Sequence, residues 1–353
     1  MPILNRYLFN AIFSSTALVI LVLLALGSLI EFVGQLDDIG EGNYDIFAAL
    51  QYVALKMPRL LTSLLPASVL IGALLGLGAL ASGSELIVMR AAGVSAVRLA
   101  QAVGVTGILL AVIGGLLAEF VAPQMDLFAR QMRAVAMSGK AEIAGSSAWL
   151  RDGDLIFNVR PGTDASAQGG VFLFRMGKKP GRLTAIGRAE SVQADESTWT
   201  LSNFRESKFL PRGVEIGRDI EPDRVSKLSD LLAVTAVRES SLTVRALWSY
   251  IVYLRANGLE SSRYEIVFWS RISTIAGVAV MCVLALPFVS GSLRSSGAGA
   301  RMIIGVLIGL GYFLLNKTLA DSAAVFGFYP FVVAWLPTAL LGVIAAIGLV
   351  RLR

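Results

Sequence analysis

Basic side chains stand at one end of several long apolar segments, at the level where the phosphate groups of lipids would lie. Charged residues beside a membrane are candidates for function because burying them is costly, and lysine and arginine are common partners of phosphate. The pattern predicts a cationic rim that binds an anionic lipid headgroup, and Arg271 lies at the same level. The residues predicted to bind the substrate are Lys56, Arg59, Arg130, Arg133 and Lys317.

A second interpretation of these residues needs no ligand. Long basic side chains at the end of a membrane helix often extend toward lipid phosphates. They also pair with carboxylates, and Glu119, Asp126 and Asp321 are near them in sequence. Lys317 is the strongest candidate for a binding role, because the rest of its apolar segment carries no charge.

A short loop between the second and third apolar segments has the pattern of a capped helix. Ser82 and Glu85 have the S-x-x-E spacing of a capping box, and Gly93 suits the helix end. Leu86, Met89 and Gly93 share one face, which predicts an apolar surface that needs a cover. The sequence leaves two covers open: lipid headgroups, or a cleft in a cytoplasmic motor that would make residues 84–93 a coupling helix. The predicted coupling residues are Glu85, Leu86, Met89 and Arg90.

The chain offers no constellation of residues for catalysis. It contains no histidine, the commonest general base and metal ligand. Its single cysteine, Cys282, lies in an apolar run, so neither an internal disulfide nor a cysteine metal site is expected. No G-x-x-x-x-G-K-[ST] motif occurs, and the glycine-rich stretch at 291–299 lacks the lysine. We therefore expect a non-enzyme with no cofactor of its own, and any ATP with Mg²⁺ would be bound by a partner.

The composition is that of a membrane protein. Hydrophobic residues make up 55% of the 353-residue chain and charged residues only 16%, whereas soluble domains carry about 25% charged residues. A membrane span needs about 20 mainly apolar residues, and six segments meet this requirement. They are residues 11–30, 60–81, 99–118, 272–293, 302–320 and 322–350.

The short loops predict the orientation, because they are richer in lysine and arginine on the cytoplasmic side. That side carries Arg6, Arg90, Arg98, Arg294, Arg301, Arg351 and Arg353. The first loop on the other side is acidic, with Asp37, Asp38, Glu41 and Asp45. Both termini are thus expected in the cytoplasm. The basic residues are neither clustered nor interleaved with aromatics, so nucleic acid is not an expected partner.

The polar middle of the chain has the pattern of short strands. Apolar runs separated by glycine, proline, aspartate and serine occupy residues 154–160, 171–175, 183–186, 191–194 and 199–204. Strands at this spacing predict a sandwich or jelly roll. Residues 243–256 change to a helical period, which predicts an amphipathic helix at the membrane surface. The predicted domains are spans 1–3 at 1–121, the β domain with its helix at 122–265, and spans 4–6 at 266–353.

Several stretches of the membrane segments resemble one protein family. They are LGLGALASGSELIVMRAAG at 75–93, FWSRI at 268–272 and LALPF at 284–288. Together they resemble the lipopolysaccharide export permeases of the LptF/LptG family, and the resemblance extends over essentially the whole chain. The opening FVGQLDDIG at 32–40, with Pro58 and Arg59, is closer to the LptG branch.

The resemblance implies a membrane α-helical fold of six spans in a three-plus-three arrangement, with an inserted all-β, jelly-roll-like periplasmic domain. It implies a transport subunit of the bacterial inner membrane that extracts lipopolysaccharide and passes it to a periplasmic bridge. The implied partners are a sister permease like LptF, a cytoplasmic ATPase dimer like LptB and a single-span jelly-roll protein like LptC. Glu85 would contact the ATPase, and spans one and five would form lateral gates against the sister, which suits the glycine pair Gly305 and Gly309.

Three other functions remain open at this point. An exporter of a different anionic lipid is the nearest, because the chemistry of phosphate capture does not identify the lipid. A membrane-embedded enzyme acting on envelope lipids would share the topology but should carry a catalytic constellation. A structural scaffold would need neither a capped cytoplasmic helix nor basic residues at the outer ends of the spans.

Overall fold

The computed structural model describes residues 2–138, 148–159, 168–177, 182–194, 199–210, 213–218, 242–290 and 297–351. The chain divides into two compact units. The first consists of Met1–Gly40, Tyr44–Arg130 and Ser262–Arg353, and the second of Glu41–Asn43 and Gln131–Ser261. The domain limits that the sequence suggests, near 121 and 265, stay predictions.

Within the described residues, six helices are long and apolar enough to cross a membrane. Their cores in chain order are α1 (Pro2–Val33), α2 (Ile46–Ser82), α4 (Ala96–Leu116), α7 (Ser262–Ser290), α8 (Ala298–Phe326) and α9 (Pro330–Arg351). The short helix α3 (Glu85–Ala91) follows α2, and α4 continues through a π-helical turn (Leu117–Val121) into α5 (Ala122–Ser138). Together with the inserted antiparallel sheet of the second unit, they confirm the predicted fold class.

Helix α2 is the most buried span and packs against α1, α7 and α8. Glycine allows α1 to approach closely, since a Cβ atom at Gly76 would lie 2.9 Å from the carbonyl carbon of Ala11. Gly72 faces Thr16 of α1 in the same way, at 2.7 Å from its backbone nitrogen. Small residues at this spacing are typical of close helix pairs in membranes. This glycine pair therefore allows the close contact between α1 and α2.

The glycine pair of α8 packs within the chain and does not form the predicted surface against a sister subunit. Gly305 and Gly309 are both buried. Cβ atoms at these positions would lie 2.9 Å from Ile71 and from Ala67 of α2. The spacing of the glycines correctly indicates a close helix contact, but the partner of that contact is α2.

A buried group of hydroxyls joins the last three spans. The Oγ atoms of Ser273 on α7 and Thr338 on α9 are 2.8 Å apart, and the hydroxyl of Tyr312 on α8 is 3.0 Å from the same threonine oxygen. All three side chains are buried. Polar side chains that bond across helices in this way hold membrane spans in register.

The sixth span begins later than the sequence predicts. Helix α8 continues to Phe326, and Gly327 then adopts φ +67°. This left-handed conformation ends a helix and favours glycine. Pro330 opens α9, where its missing N–H costs nothing. Residues 322–326 therefore complete the fifth span, although their composition suits the sixth equally well.

The described strands of the second unit form one antiparallel sheet. In chain order they are β1 (Ala148–Asp152), β2 (Leu155–Val159), β3 (Gln168–Met176), β4 (Leu183–Ala194), β5 (Trp199–Ser202), β6 (Arg205–Leu210) and β7 (Gly213–Arg218). The sheet order is β1-β2-β3-β4-β6-β7, and β5 pairs with β4. The two predicted runs at 183–186 and 191–194 are one continuous strand, β4. Phe157, Leu173 and Ala185 are buried on one face of the sheet.

Helix α6 (Val244–Ala256) has the predicted amphipathic period, and the side chain of Thr243 caps it by accepting from the N–H of Ala246 at 3.1 Å. Its predicted position on the membrane surface stays a prediction. Its apolar face is buried in the protein, and the residues concerned are Leu247, Tyr250, Ile251 and Leu254. The hydroxyl of Tyr253 ties it to β1 by donating to the carbonyl of Arg151 at 2.6 Å.

Candidate functional site

The predicted basic residues of α2 and α5 meet at a buried carboxylate. Asp126 lies on the buried face of α5 together with Ala122 and Ala129, one turn away on either side. Arg59 of α2 donates from Nη1 to Asp126 Oδ2 at 2.7 Å, and Arg130 donates from Nε to the same oxygen at 3.1 Å. Two of the five predicted substrate-binding residues are thus held on one atom.

Lys56 belongs to a neighbouring ion pair. Its Nζ atom forms a salt bridge with Glu31 of α1 and lies 4.9 Å from the ring centroid of Tyr52. Both contacts place the ammonium group beside partners that attract a positive charge. Pairing with acidic residues was one of the two interpretations of the sequence, and the structure shows it for Lys56, Arg59 and Arg130.

Arg271 adds a further charge to this region. It opens the membrane part of α7, and both Arg59 and Glu119 are close enough to interact with it electrostatically. Glu119 lies in the π-helical turn between α4 and α5. Such turns are often found at functional sites because they change which side chains face inward.

The other two predicted substrate-binding residues are Arg133 and Lys317. Arg133 is partly buried on α5, in the portion of that helix assigned to the second unit. Lys317 of α8 is exposed, and so is Asp321 one turn later. Among the residues that the structure describes, none forms an ion pair with Lys317. An exposed charge in an apolar helix is a candidate for binding a polar group of a ligand.

Helix α3 begins differently from the prediction. Ser82 is the last residue of α2, and its hydroxyl donates to the carbonyls of Gly78 and Ala79 at 2.9 and 3.0 Å. The N-cap residue is Ser84, which has φ +60° and makes no side-chain cap. The predicted capping box is therefore wrong. The hydroxyl of Ser82 bonds to carbonyls of its own helix, which is a common alternative for serine.

The end of α3 agrees with the prediction. Gly93 adopts φ +89°, the left-handed conformation expected there. The N–H of Gly93 donates to the carbonyl of Arg90 at 3.0 Å, and the N–H of Val94 donates to that of Met89 at 3.1 Å. These two bonds form a Schellman motif. Met89 and Val94 both pack against the membrane core, which fixes this end of the helix.

The apolar face of α3 that the sequence predicts for docking is covered by the chain itself. Leu86 is 6% exposed and belongs to the membrane core, and Met89 packs against the same core. The apolar residues that stay open are Ile87 and Val88, at 40% and 64% exposure. The helical period shows which residues share a face but not which face the rest of the chain covers. Leu86 and Met89 therefore anchor α3, and its free apolar surface is the opposite one.

Two polar residues flank this free surface. Glu85 accepts a hydrogen bond from the hydroxyl of Tyr7 on α1 at 2.7 Å. Arg90 is exposed and lines a cleft of about 450 Å³ together with other residues of α2, α3 and α7. They are Ala81, Leu86, Ile87, Ala91, Val289 and Ser290. The exposed side of α3 thus combines two apolar residues, an acid and an arginine next to an open cleft.

Comparison with known proteins identifies the family of this chain. The family model for the lipopolysaccharide export system permease LptF/LptG matches residues 6–351. The chain belongs to this family. The resemblance found in the sequence is confirmed, and the function of the family is transport.

Individual relatives point to the LptG branch of the LptF/LptG family. The chain is 33% identical to the permease protein LptG of Haemophilus influenzae over 328 residues, which cover 92% of this chain and 91% of that protein. It is 32% identical to LptG of Escherichia coli over 342 residues, covering 96% and 95%. Identity to LptF of Escherichia coli is 22% over 334 residues, covering 91% and 87%.

Two residues of this LptF/LptG permease were not singled out as site residues by the sequence. In the sequence Asp126 is only one of several possible counter-ions, although its position four residues before Arg130 is typical of a helical ion pair. Its contact with Arg59, 67 residues away, has no local signal. Tyr7 is 78 residues from Glu85, and nothing in its surroundings predicts their hydrogen bond.

Proposed function

We propose that this chain is the LptG-like permease subunit of an exporter that extracts lipopolysaccharide from the inner membrane and passes it to a periplasmic bridge. The observation that carries this proposal is similarity over the whole length, at 33% and 32% identity to two LptG proteins against 22% to an LptF protein. The presence of both branches among the relatives supports a sister permease as partner. The transport role of the family supports a subunit that moves lipid rather than modifying it.

Lipid capture is assigned to the basic residues at the outer ends of the spans. Arg59 and Arg130 are about one third exposed, so their guanidinium groups can still reach a ligand. Lys317 is exposed on a helix that also exposes large apolar residues, such as Leu310 and Leu314. A phosphate group of the lipid would supply a polar partner for Lys317, while the acyl chains occupy apolar surroundings.

The sister permease is assigned to the outer faces of α1 and α8. Both helices pack against α2 with one side and leave large apolar residues open on the other. Leu21 and Ile30 of α1 are 68% and 73% exposed, and Leu307 of α8 is 62% exposed. A lipid cavity closed by two such subunits, with these helices as lateral gates, accounts for the incomplete set of charges in one chain.

Coupling to ATP hydrolysis is assigned to α3. Its exposed side offers Ile87, Val88, Glu85 and Arg90 to an ATPase dimer that binds the ATP and Mg²⁺. Both termini would then lie in the cytoplasm and the β domain in the periplasm, where a single-span jelly-roll protein like LptC receives the lipid. This chain itself needs no cofactor in that scheme.

ATPase activity in proteoliposomes tests the proposal. The chain is co-purified with its LptF-like sister and the LptB-like ATPase, and hydrolysis is measured with and without lipopolysaccharide. We expect stimulation by the lipid that is lost in Glu85→Ala and largely kept in Glu85→Asp, which preserves the carboxylate. Failure of the three proteins to assemble, or hydrolysis that is indifferent to the lipid, would contradict the proposal.

A further inference from the structure

Asp126 is a carboxylate with no exposed side-chain surface. Burying such a charge is costly unless it is paired and hydrogen-bonded. Here the pairing comes from two arginines that share one oxygen, Oδ2, at 2.7 and 3.1 Å. The two donor nitrogens, on Arg59 and Arg130, are therefore no more than about 6 Å apart.

Two guanidinium groups this close repel each other, and the buried acid is what holds them together. Each arginine has five N–H donors, and each donates to Asp126 from one nitrogen. Both side chains are 34% exposed, so other donors of the pair remain open. Adjacent guanidinium groups with open donors match the oxygens of a phosphate group, which arginine binds through paired hydrogen bonds.

We propose that Asp126 is a positioning residue that holds Arg59 and Arg130 side by side as a clamp for a phosphate monoester on the lipid. This inference rests on the proposed function and adds to it a residue that does not itself touch the lipid. Because Asp126 is fully buried, a ligand cannot take its place, and the clamp keeps its shape whether or not lipid is bound.

The clamp and simple charge attraction give opposite expectations. Asp126→Asn removes a negative charge, so attraction alone would tighten the binding of an anionic lipid. A clamp that loses its shared acceptor loses the alignment of its two arginines. We expect about tenfold weaker binding in the variant, which corresponds to the loss of one charge-assisted hydrogen bond.

The experiment uses the complete transporter in proteoliposomes and measures the lipid concentration that half-stimulates ATP hydrolysis. Asp126→Asn should raise this concentration about tenfold for a lipid carrying phosphate groups. It should leave the value unchanged for the same lipid without its phosphates. Asp37→Asn changes the same charge on an exposed residue of the first outer loop and is expected to behave as wild type. In an Arg59→Gln/Arg130→Gln background, Asp126→Asn should have no further effect on lipid binding, because it acts through those two arginines.

Each result separates the clamp from the proposed function. If the wild-type transporter ignores the lipid, the proposed function fails. If the wild type responds but Asp126→Asn binds phosphorylated lipid equally well or more tightly, only the clamp is refuted. Equal weakening for lipids with and without phosphate also refutes it. Inorganic phosphate at millimolar concentration should not compete with the lipid for the two arginines. Full competition would mean that the arginines bind free phosphate, and it would overturn their assignment to the lipid.

A second variant keeps the test valid if Asp126→Asn does not fold. Arg130→Gln leaves the pair between Arg59 and Asp126 intact but removes half of the clamp. We expect weaker binding of phosphorylated lipid in this variant and unchanged binding of the dephosphorylated one. Unchanged binding of both lipids would overturn the assignment.

Discussion

The contact between α1 and α2 leads to a prediction that can be worked out from distances. In Gly76→Ala, the new Cβ atom would lie 2.9 Å from the carbonyl carbon of Ala11 and nearer still to its oxygen. Carbon atoms in contact prefer about 3.5–4.0 Å, so α1 must move away by roughly 1 Å. Overpacking of this kind lowers the stability by about 1–3 kcal/mol. The higher helix propensity of alanine offsets about 1 kcal/mol of this loss. The movement also displaces Tyr7, one turn before Ala11.

The matched control is Gly311→Ala on α8, where a Cβ atom would have no neighbour within 4 Å. In this variant only the higher helix propensity of alanine acts, so its stability should equal or slightly exceed that of the wild type. Thermal unfolding of the purified transporter in detergent compares the two, and hydrolysis with lipid shows whether the displaced α1 weakens coupling. Equal stability of the two variants would refute the close packing of α1 on α2.

Two further predictions concern α3. Tyr7→Phe removes only the hydrogen bond to Glu85, so we expect reduced lipid-stimulated hydrolysis with an unchanged unfolding temperature; full stimulation would exclude a link between α1 and α3. Val88→Asp should abolish binding of the ATPase in a pull-down while changing the free energy of unfolding by less than about 0.5 kcal/mol. Leu86→Ala should instead cost about 2–4 kcal/mol, because its side chain is in the core. If Val88→Asp were destabilised but still bound the ATPase, the assignment of Val88 to the ATPase surface and of Leu86 to the core would be contradicted.

The apolar segments and the glycine residues at helix ends predict much of this fold. Six apolar segments correspond to the six spans, because the bilayer imposes a minimum length that few other structures need. Gly93 ends α3 as predicted, since a left-handed residue at a helix end favours glycine. The strand runs of the middle region appear as strands, although one interruption at 187–190 is part of β4.

The remaining features depend on contacts that a sequence does not record. The period of α3 places Leu86 and Met89 on one face, but only the core of the chain decides that this face is covered. The same holds for Gly305, whose close neighbour is α2 rather than a sister subunit. Ser82 has the spacing of a capping residue and bonds within α2 instead. In each case the partner of the residue differs from the one that its local pattern predicts.

We propose that this chain moves lipopolysaccharide by means of ATP hydrolysed on a partner protein. The most direct measurement is the release of labelled lipopolysaccharide from proteoliposomes that contain this chain, its sister permease and the ATPase, with the LptC-like jelly-roll protein as acceptor. The account predicts release that requires ATP and disappears in Glu85→Ala while the complex stays assembled. Release without ATP, or ATP hydrolysis that proceeds without any transfer of lipid, would contradict it.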